Sequence, residues 1–241
     1  MNIINHCDIK KKICVNKDSI IYNKVLFFSL LMMLPLSKYI PAEAGWENGI
    51  IENAQVVVLC LSALFSLSFS SPQLRKMSRA ICSIYILMIG RELSWGRVFL
   101  TPTEITALGP EFPPMKSFVL YPILYFFIGL TLLGIAYTIY KNFKISRFLM
   151  VSIPRESILV LLTGITLQIA AEHLHIGVFQ GARGQIIEEF SELVVYLEMM
   201  HLLLYYGVCF AIKEKFKLRH PYINIGTINT YEANTKNKLF Y

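Results

Sequence analysis

Residues 117–140 read SFVLYPILYFFIGLTLLGIAYTIY, a run of 24 residues with no charge and with tyrosines near both ends. A helix rises ~1.5 Å per residue, so this run is long enough to cross the ~30 Å of hydrocarbon in a bilayer. Tyrosine suits the two water–lipid boundaries, and Pro122 sits in the first turns, where a proline is tolerated. Five further apolar segments accompany it: Val25–Ile40, Ile50–Ser70, Ala80–Leu100, Ser157–Val178 and Ile187–Lys213. Composition agrees. Only 16% of the 241 residues are charged, against about 25% in a soluble domain, while 55% are hydrophobic and the mean hydropathy is +0.52. The expected fold is an all-α polytopic membrane helix bundle of about six transmembrane helices. A basic tail (residues 1–24) precedes the bundle (25–213), and a polar tail (214–241) follows it.

Orientation follows from the positive residues. Lys10, Lys11, Lys12, Lys17 and Lys24 precede the first segment, and Arg75, Lys76 and Arg79 join the second to the third. Lys141, Lys144, Arg147 and Arg155 join the fourth to the fifth, and Lys213, Lys215, Lys217 and Arg219 follow the sixth. All four groups fall on one side of a six-span topology, which makes that side, and both termini, cytoplasmic. The opposite loops are EAGWENG, the proline-rich TPTEITALGPEFPPMK and FQGARGQ. Because the net charge of +7 is dispersed among loops and tails rather than gathered in one stripe, nucleic-acid binding is excluded. Pro41-Ala42-Glu43-Ala44-Gly45 resembles a signal-peptidase site. The long stretch ahead of the apolar run and Lys38 argue instead for an uncleaved first span. Five cysteines (Cys7, Cys14, Cys60, Cys82, Cys209) lack metal-knuckle spacing, and the last three lie in apolar runs as small hydrophobes. No internal repeat supports an inverted-repeat transporter.

An ionisable side chain in hydrocarbon costs roughly 2.5–3.5 kcal/mol on insertion scales, so those found there need partners or tasks. Glu52, Asn53 and Gln55 open the second segment, while Arg91, Glu92, Trp95 and Arg97 fall in the outer half of the third. Gln168, Glu172, His173 and His175 occupy the outer half of the fifth. Glu188, Glu189 and Glu192 begin the sixth, with Glu198 and His201 near the midplane. The cytoplasmic halves are nearly free of such groups. The pattern predicts one polar cavity open to the outside, built from Glu52, Arg91, Glu92, Trp95, Gln168, Glu172, His175, Glu198 and His201.

Helical spacing puts Gln168, Glu172 and His175 on one face, with His173 about 100° away; Glu198 and His201 share a face, as do Glu92 and Trp95. Two Glu-x-x-His steps, Glu172/His175 and Glu198/His201, resemble the paired ligands of di-iron carboxylate bundles. Glu52 or Glu92 would supply the single carboxylates. Carboxylate with imidazole suits Fe, Mn or Zn. Arg91 opposes this reading, because a guanidinium competes for the same carboxylates. The plainer alternative is an ion-pair network that holds the helices together, although polar contacts in membranes average only ~0.6 kcal/mol. A third is a metal-free binding or proton-coupled pocket in which His175 and His201 titrate. For Glu188, Glu189 and Glu192 the expected role is solvation at the positive end of a helix. Pro102, Pro110, Pro113 and Pro114 stiffen a loop above the cavity, either as a lid or as an irregular connector. Arg183 is expected to be a solvated loop residue.

Gly90-Arg91-Glu92-Leu93-Ser94-Trp95-Gly96-Arg97 resembles a group of uncharacterised bacterial multi-pass inner-membrane proteins that carry Glu-[Ile/Leu]-Ser-Trp-Gly at a helix end, followed by a short Thr/Pro-containing loop. The match runs from Glu92 to Pro102, with a weaker echo at Glu52. It departs from the pattern at Arg97, where Gln followed by Arg is expected. The resemblance implies the bacterial inner membrane and a focal point at Glu92 and Trp95, and it implies no activity. The expected function is a cavity that binds a small polar molecule, an ion or a lipid headgroup. The alternatives are a membrane-embedded metal-dependent enzyme and a non-catalytic accessory subunit that docks a partner protein.

Overall fold

A computed structural model describes residues 6–68, 72–106, 109–117, 119, 121–142 and 153–219. The loop basics Lys144 and Arg147 and most of the C-terminal tail lie outside the described residues. Six α-helices are described: α1 (His6–Leu36), α2 (Ile50–Leu67), α3 (Pro72–Glu92), α4 (Tyr121–Lys141), α5 (Arg155–Leu174) and α6 (Gly181–Arg219). Four stretches are long and apolar enough to cross a membrane: Lys17–Leu36, Ala42–Leu67, Tyr121–Lys141 and Arg155–Leu174. Among the described residues the chain is helical apart from short 3-10 turns, irregular connections and one small antiparallel ribbon in the proline-rich loop. There β1 (Glu104–Thr106) pairs with β2 (Gly109–Glu111), with Ile105 opposite Pro110.

Long helix α6 is the hub. It packs against α1, α2 and α5, while α3 packs against α2, reaches α6 through its side chains, and carries α4. Leu26, Leu30, Val160 and Val194 form one core where α1, α5 and α6 meet. Leu59, Ala63, Cys82, Tyr85, Tyr196 and Leu203 form another among α2, α3 and α6. Cys82 is packing, as the apolar run implied. Helix α4 buries little, and Phe126, Phe127, Leu130 and Leu133 are exposed along it, as suits a helix whose solvent is lipid.

Two boundaries differ from the sequence expectation. The first helix begins at His6, well before Val25. Ser19, Asn23, Leu26, Leu30, Met33 and Ser37 recur at helical spacing and are all buried. Polar side chains on that face hid its continuity from a reading based on apolar runs. The third helix stops at Glu92 rather than continuing to Leu100, because Ser94, Trp95 and Gly96 all have positive φ (44°, 54° and 93°). A left-handed backbone cannot continue a right-handed helix, and each non-glycine residue held there costs of order 1–3 kcal/mol. The reversal is held by packing: a Cβ on Gly90 would meet the Trp95 ring, so only glycine lets the indole fold back onto α3.

Helices α5 and α6 approach closely at Gly164, where an added Cβ would lie 2.7 Å from a Val195 methyl; around Gly129 on α4 nothing lies within 4 Å. Gly164→Ile is therefore expected to lower the thermal midpoint in detergent by the equivalent of about 1–3 kcal/mol through overpacking. Gly129→Ala is expected to leave it unchanged or raised. Equal losses from both would contradict this helix contact.

Candidate functional site

The site begins where three chain reversals meet. Gly49 precedes α2, the left-handed Ser94–Gly96 turn ends α3, and the Gly181 turn (φ 57°) starts α6. Between them opens a cavity of about 510 Å³, lined by Glu47, Glu52, Arg91, Glu92, Ser94, Trp95, Arg97, Met115, Tyr125, Gln185, Glu188, Glu189 and Glu192. Six of these side chains are carboxylates and two are guanidiniums.

The polar groups are tied into two knots. In the deeper one, Arg91 Nη2 meets Glu192 Oε1 at 2.5 Å, and Arg91 Nη1 donates to the Tyr196 hydroxyl at 3.2 Å and lies 3.7 Å from Glu92 Oε1. The Tyr196 hydroxyl donates to Glu92 Oε1 at 2.6 Å, and Gln168 Nε2 donates to Glu192. Gln55, fully buried, donates from Nε2 to the Glu189 backbone oxygen (2.8 Å) and carboxylate (2.9 Å), which fixes α2 against α6. At the rim, Ser94 Oγ donates to Glu47 at 2.5 Å, Arg97 lies 3.5 Å from the same carboxylate, and Arg97 reaches the Pro113 carbonyl at 3.4 Å. Glu52 accepts from the backbone N–H of Asn48, closing the turn before α2. The proline-rich loop supplies Met115 to the wall and seats Gly109 against Trp46, so it forms part of the rim.

Glu52, Arg91, Glu92 and Trp95 thus line the cavity as expected, and Gln168 supports it from α5. Trp95 arrives by chain reversal rather than along a shared helix face. Glu172 and His175 do not take part. Glu172 is exposed beside His173 (3.6 Å), and His175 is an exposed left-handed residue (φ 46°) that ends α5. Glu198 and His201 belong to another cluster, with Ser19, Asn23 and Ser157, further along the bundle from the cavity. Ser157 and Glu172 are 15 residues apart on α5, or about 22 Å along the axis. The proposed Glu172/His175/Glu198/His201 metal set is therefore not assembled, and among the described residues no imidazole lines the cavity. Nor is the far half of the bundle clean, because this second cluster occupies it.

Glu188, Glu189 and Glu192 are the main omission. They lie in the third and fourth turns of α6, past the reach of the helix's positive end, and Glu192 is only 4% exposed. The available signal was the i, i+4, i+8 series Glu188–Glu192–Tyr196, one face that carries polar groups through an apolar segment. Glu47 sat unremarked in a loop. Arg183 is half-buried rather than freely solvated. Comparison of the chain with protein-family models, curated proteins and solved structures yields no match.

Arg91 is itself exposed, but removing it leaves the buried Glu192 carboxylate uncompensated. Arg91→Ala is accordingly expected to lower the thermal midpoint, and adding Glu192→Gln to recover part of the loss, since glutamine still accepts from Gln168. Additive losses in the double variant would mean that the two side chains do not interact.

Proposed function

We propose that the chain is a multi-pass protein of the bacterial inner membrane whose outward-facing acidic cavity binds a small polar cation. In this reading the chain crosses six times with both termini in the cytoplasm. Helices α3 and α6 complete the count: each carries charged residues that lower its hydropathy, yet both pack among the four apolar stretches. The alternation of basic loops supports the orientation.

The observation that carries the reading is the imbalance of charge around the cavity, six carboxylates against two guanidiniums. Arg91 and Arg97 already contact Glu192, Glu92 and Glu47, and among the described residues Glu52, Glu188 and Glu189 have no guanidinium within ion-pair distance. A ligand that brings positive charge and N–H donors offsets the cost of gathering these groups away from water. An anionic headgroup would meet repulsion. The volume suits a compact organic amine.

A second reading has its own support. Carboxylate oxygens of Glu92, Glu189 and Glu192 lie within 4.8 Å of one another, close enough to share a metal ion. An all-oxygen donor set suits a hard divalent cation such as Mg²⁺ or Mn²⁺ rather than the Fe or Zn of a carboxylate–imidazole site. Arg91, against Glu192, competes for the same oxygens.

Thermal unfolding of the purified full-length protein separates these readings. Putrescine or ethanolamine is expected to raise the midpoint by the equivalent of about 2.7 kcal/mol at a hundredfold excess over Kd, and further with the logarithm of concentration. Glu189→Gln is expected to weaken that binding about 30-fold or more, the low end for losing one partner of a buried charge pair. Stabilisation by Mn²⁺ but by neither amine would favour the metal reading. Stabilisation by phosphate alone would contradict both.

A further inference from the structure

Arg91 and Arg97 both line the acidic cavity, but they are held differently. Arg97 is fixed in the rim. Its side chain is 25% exposed and reaches Glu47, the Ser94 hydroxyl and the Pro113 carbonyl. The Arg91 side chain is 56% exposed, whereas the Glu92 and Glu192 side chains it meets are each 5% exposed. Among the described residues its polar contacts are Glu192, Tyr196 and Glu92, all side chains, and none ties it to the backbone. The acceptors are buried and fixed, while the group that fills them reaches in from the open side.

Those acceptors suit a guanidinium. Glu192 Oε1 accepts from Nη2 at 2.5 Å and the Tyr196 hydroxyl from Nη1 at 3.2 Å, so two nitrogens of one planar fork meet two acceptors a turn apart on α6. The Tyr196 proton is committed to Glu92 at 2.6 Å, which leaves its oxygen to accept. An ammonium gathers charge and donors at one point and matches such a pair less well. Arg91 also leaves acceptors over. Carboxylate oxygens of Glu189, Glu92 and Glu192 lie within 4.8 Å of one another, and Arg91 pairs with only the last two. Beside Glu189, Gln55 is 0% exposed and gives Nε2 to that carboxylate, while its Oε1 meets no donor.

We infer that Arg91 stands in the place of the ligand's own cationic group: the cavity takes a guanidinium compound, which displaces Arg91 from Glu192 and Tyr196. The inference rests on the cation-binding reading of the cavity and narrows its ligand to cations that carry the planar fork. The exchange strands no buried charge, because one guanidinium arrives at Glu192 as the other leaves. Gln168 keeps its bond to Glu192 throughout. A second cationic group on the ligand gains further. Glu188 lies one turn before Glu192 on α6, lines the same cavity and, among the described residues, has no guanidinium within ion-pair distance. A compact guanidino-amine therefore meets both ends of the acidic face.

The experiment measures binding calorimetrically on the purified full-length protein in detergent, with putrescine and with agmatine, which is putrescine with one amine converted to a guanidinium. The two carry the same charge, so their ratio reads the fork alone. On the native chain agmatine is expected to bind about tenfold tighter or more, the low end for one further charge-assisted hydrogen bond. In Arg91→Ala agmatine is expected to tighten at least about tenfold, as when an occupant that fills a place about nine-tenths of the time is removed. Putrescine should tighten less, so the ratio widens. Methylguanidine is expected to restore the thermal midpoint lost in Arg91→Ala, and methylammonium is not.

Agmatine that binds the native chain no tighter than putrescine would overturn the inference, as would a folded Arg91→Ala that binds agmatine more weakly than the native chain. In either case putrescine binding leaves the cation-binding reading in place. If neither compound binds the native chain, both fall together. Should Arg91→Ala not fold, Arg91→Lys takes its place. It keeps a cation on Glu192 but competes from one point, so agmatine is expected to bind it tighter than the native chain, and equal or weaker binding overturns the inference.

Discussion

Helix α6 carries Glu188, Glu189, Glu192 and Glu198 into the middle of a bundle whose other faces are apolar, and the rest of the architecture answers that constraint. A carboxylate without partners in hydrocarbon costs several kcal/mol, so each needs donors from a neighbouring element. Arg91 and Tyr196 serve Glu192 and Glu92, Gln55 serves Glu189, Gln168 reaches Glu192 from α5, and Asn23 with His201 serves Glu198. Those donors come from α1, α2, α3, α5 and α6 itself, which is why α6 is the hub. The left-handed turn at Ser94–Gly96 belongs to the same scheme. It ends α3 at the depth where Arg91 and Glu92 meet α6, then turns Arg97 back toward Glu47.

The polar residues of α6 divide by face. Glu188, Glu192 and Tyr196 look toward α3 and the cavity, while Glu198 and His201 look toward α1. Glu192 and Glu198 are six residues apart, about 9 Å along the axis, yet they share no partner. One helix therefore carries two separate polar clusters. The first gathers negative charge around an open volume. The second holds a single imidazole between a buried carboxylate and a hydroxyl.

Much of the helical fold was legible because apolar runs of the right length leave few alternatives, and four of the stretches read that way span on length and composition. Boundaries were less legible. Ser19 and Asn23 face the core, so polarity concealed the first turns of α1. The end of α3 depends on backbone conformation at Ser94 and Trp95, which no apolar count registers. At the site, Glu52, Arg91 and Glu92 were readable as ionisable residues inside apolar runs. Glu172 and His175 misled because helical spacing was extended past the end of α5, where the left-handed His175 breaks the face. The Ser19 contact with His201 spans 182 positions in the chain and leaves no local signature.

The account rests on an acidic cavity that opens to the outside of the membrane, and the most direct measurement is the side and charge preference of labelling at Glu188. With the native cysteines replaced by serine, Glu188→Cys is treated in intact cells with membrane-impermeant thiol reagents matched in size, one cationic and one anionic. The account predicts labelling from outside, faster with the cationic reagent because the surrounding carboxylates concentrate positive ions. It further predicts that this preference shrinks when Glu189 is also replaced by glutamine. Labelling only from the cytoplasmic side, or faster labelling by the anionic reagent, would contradict it.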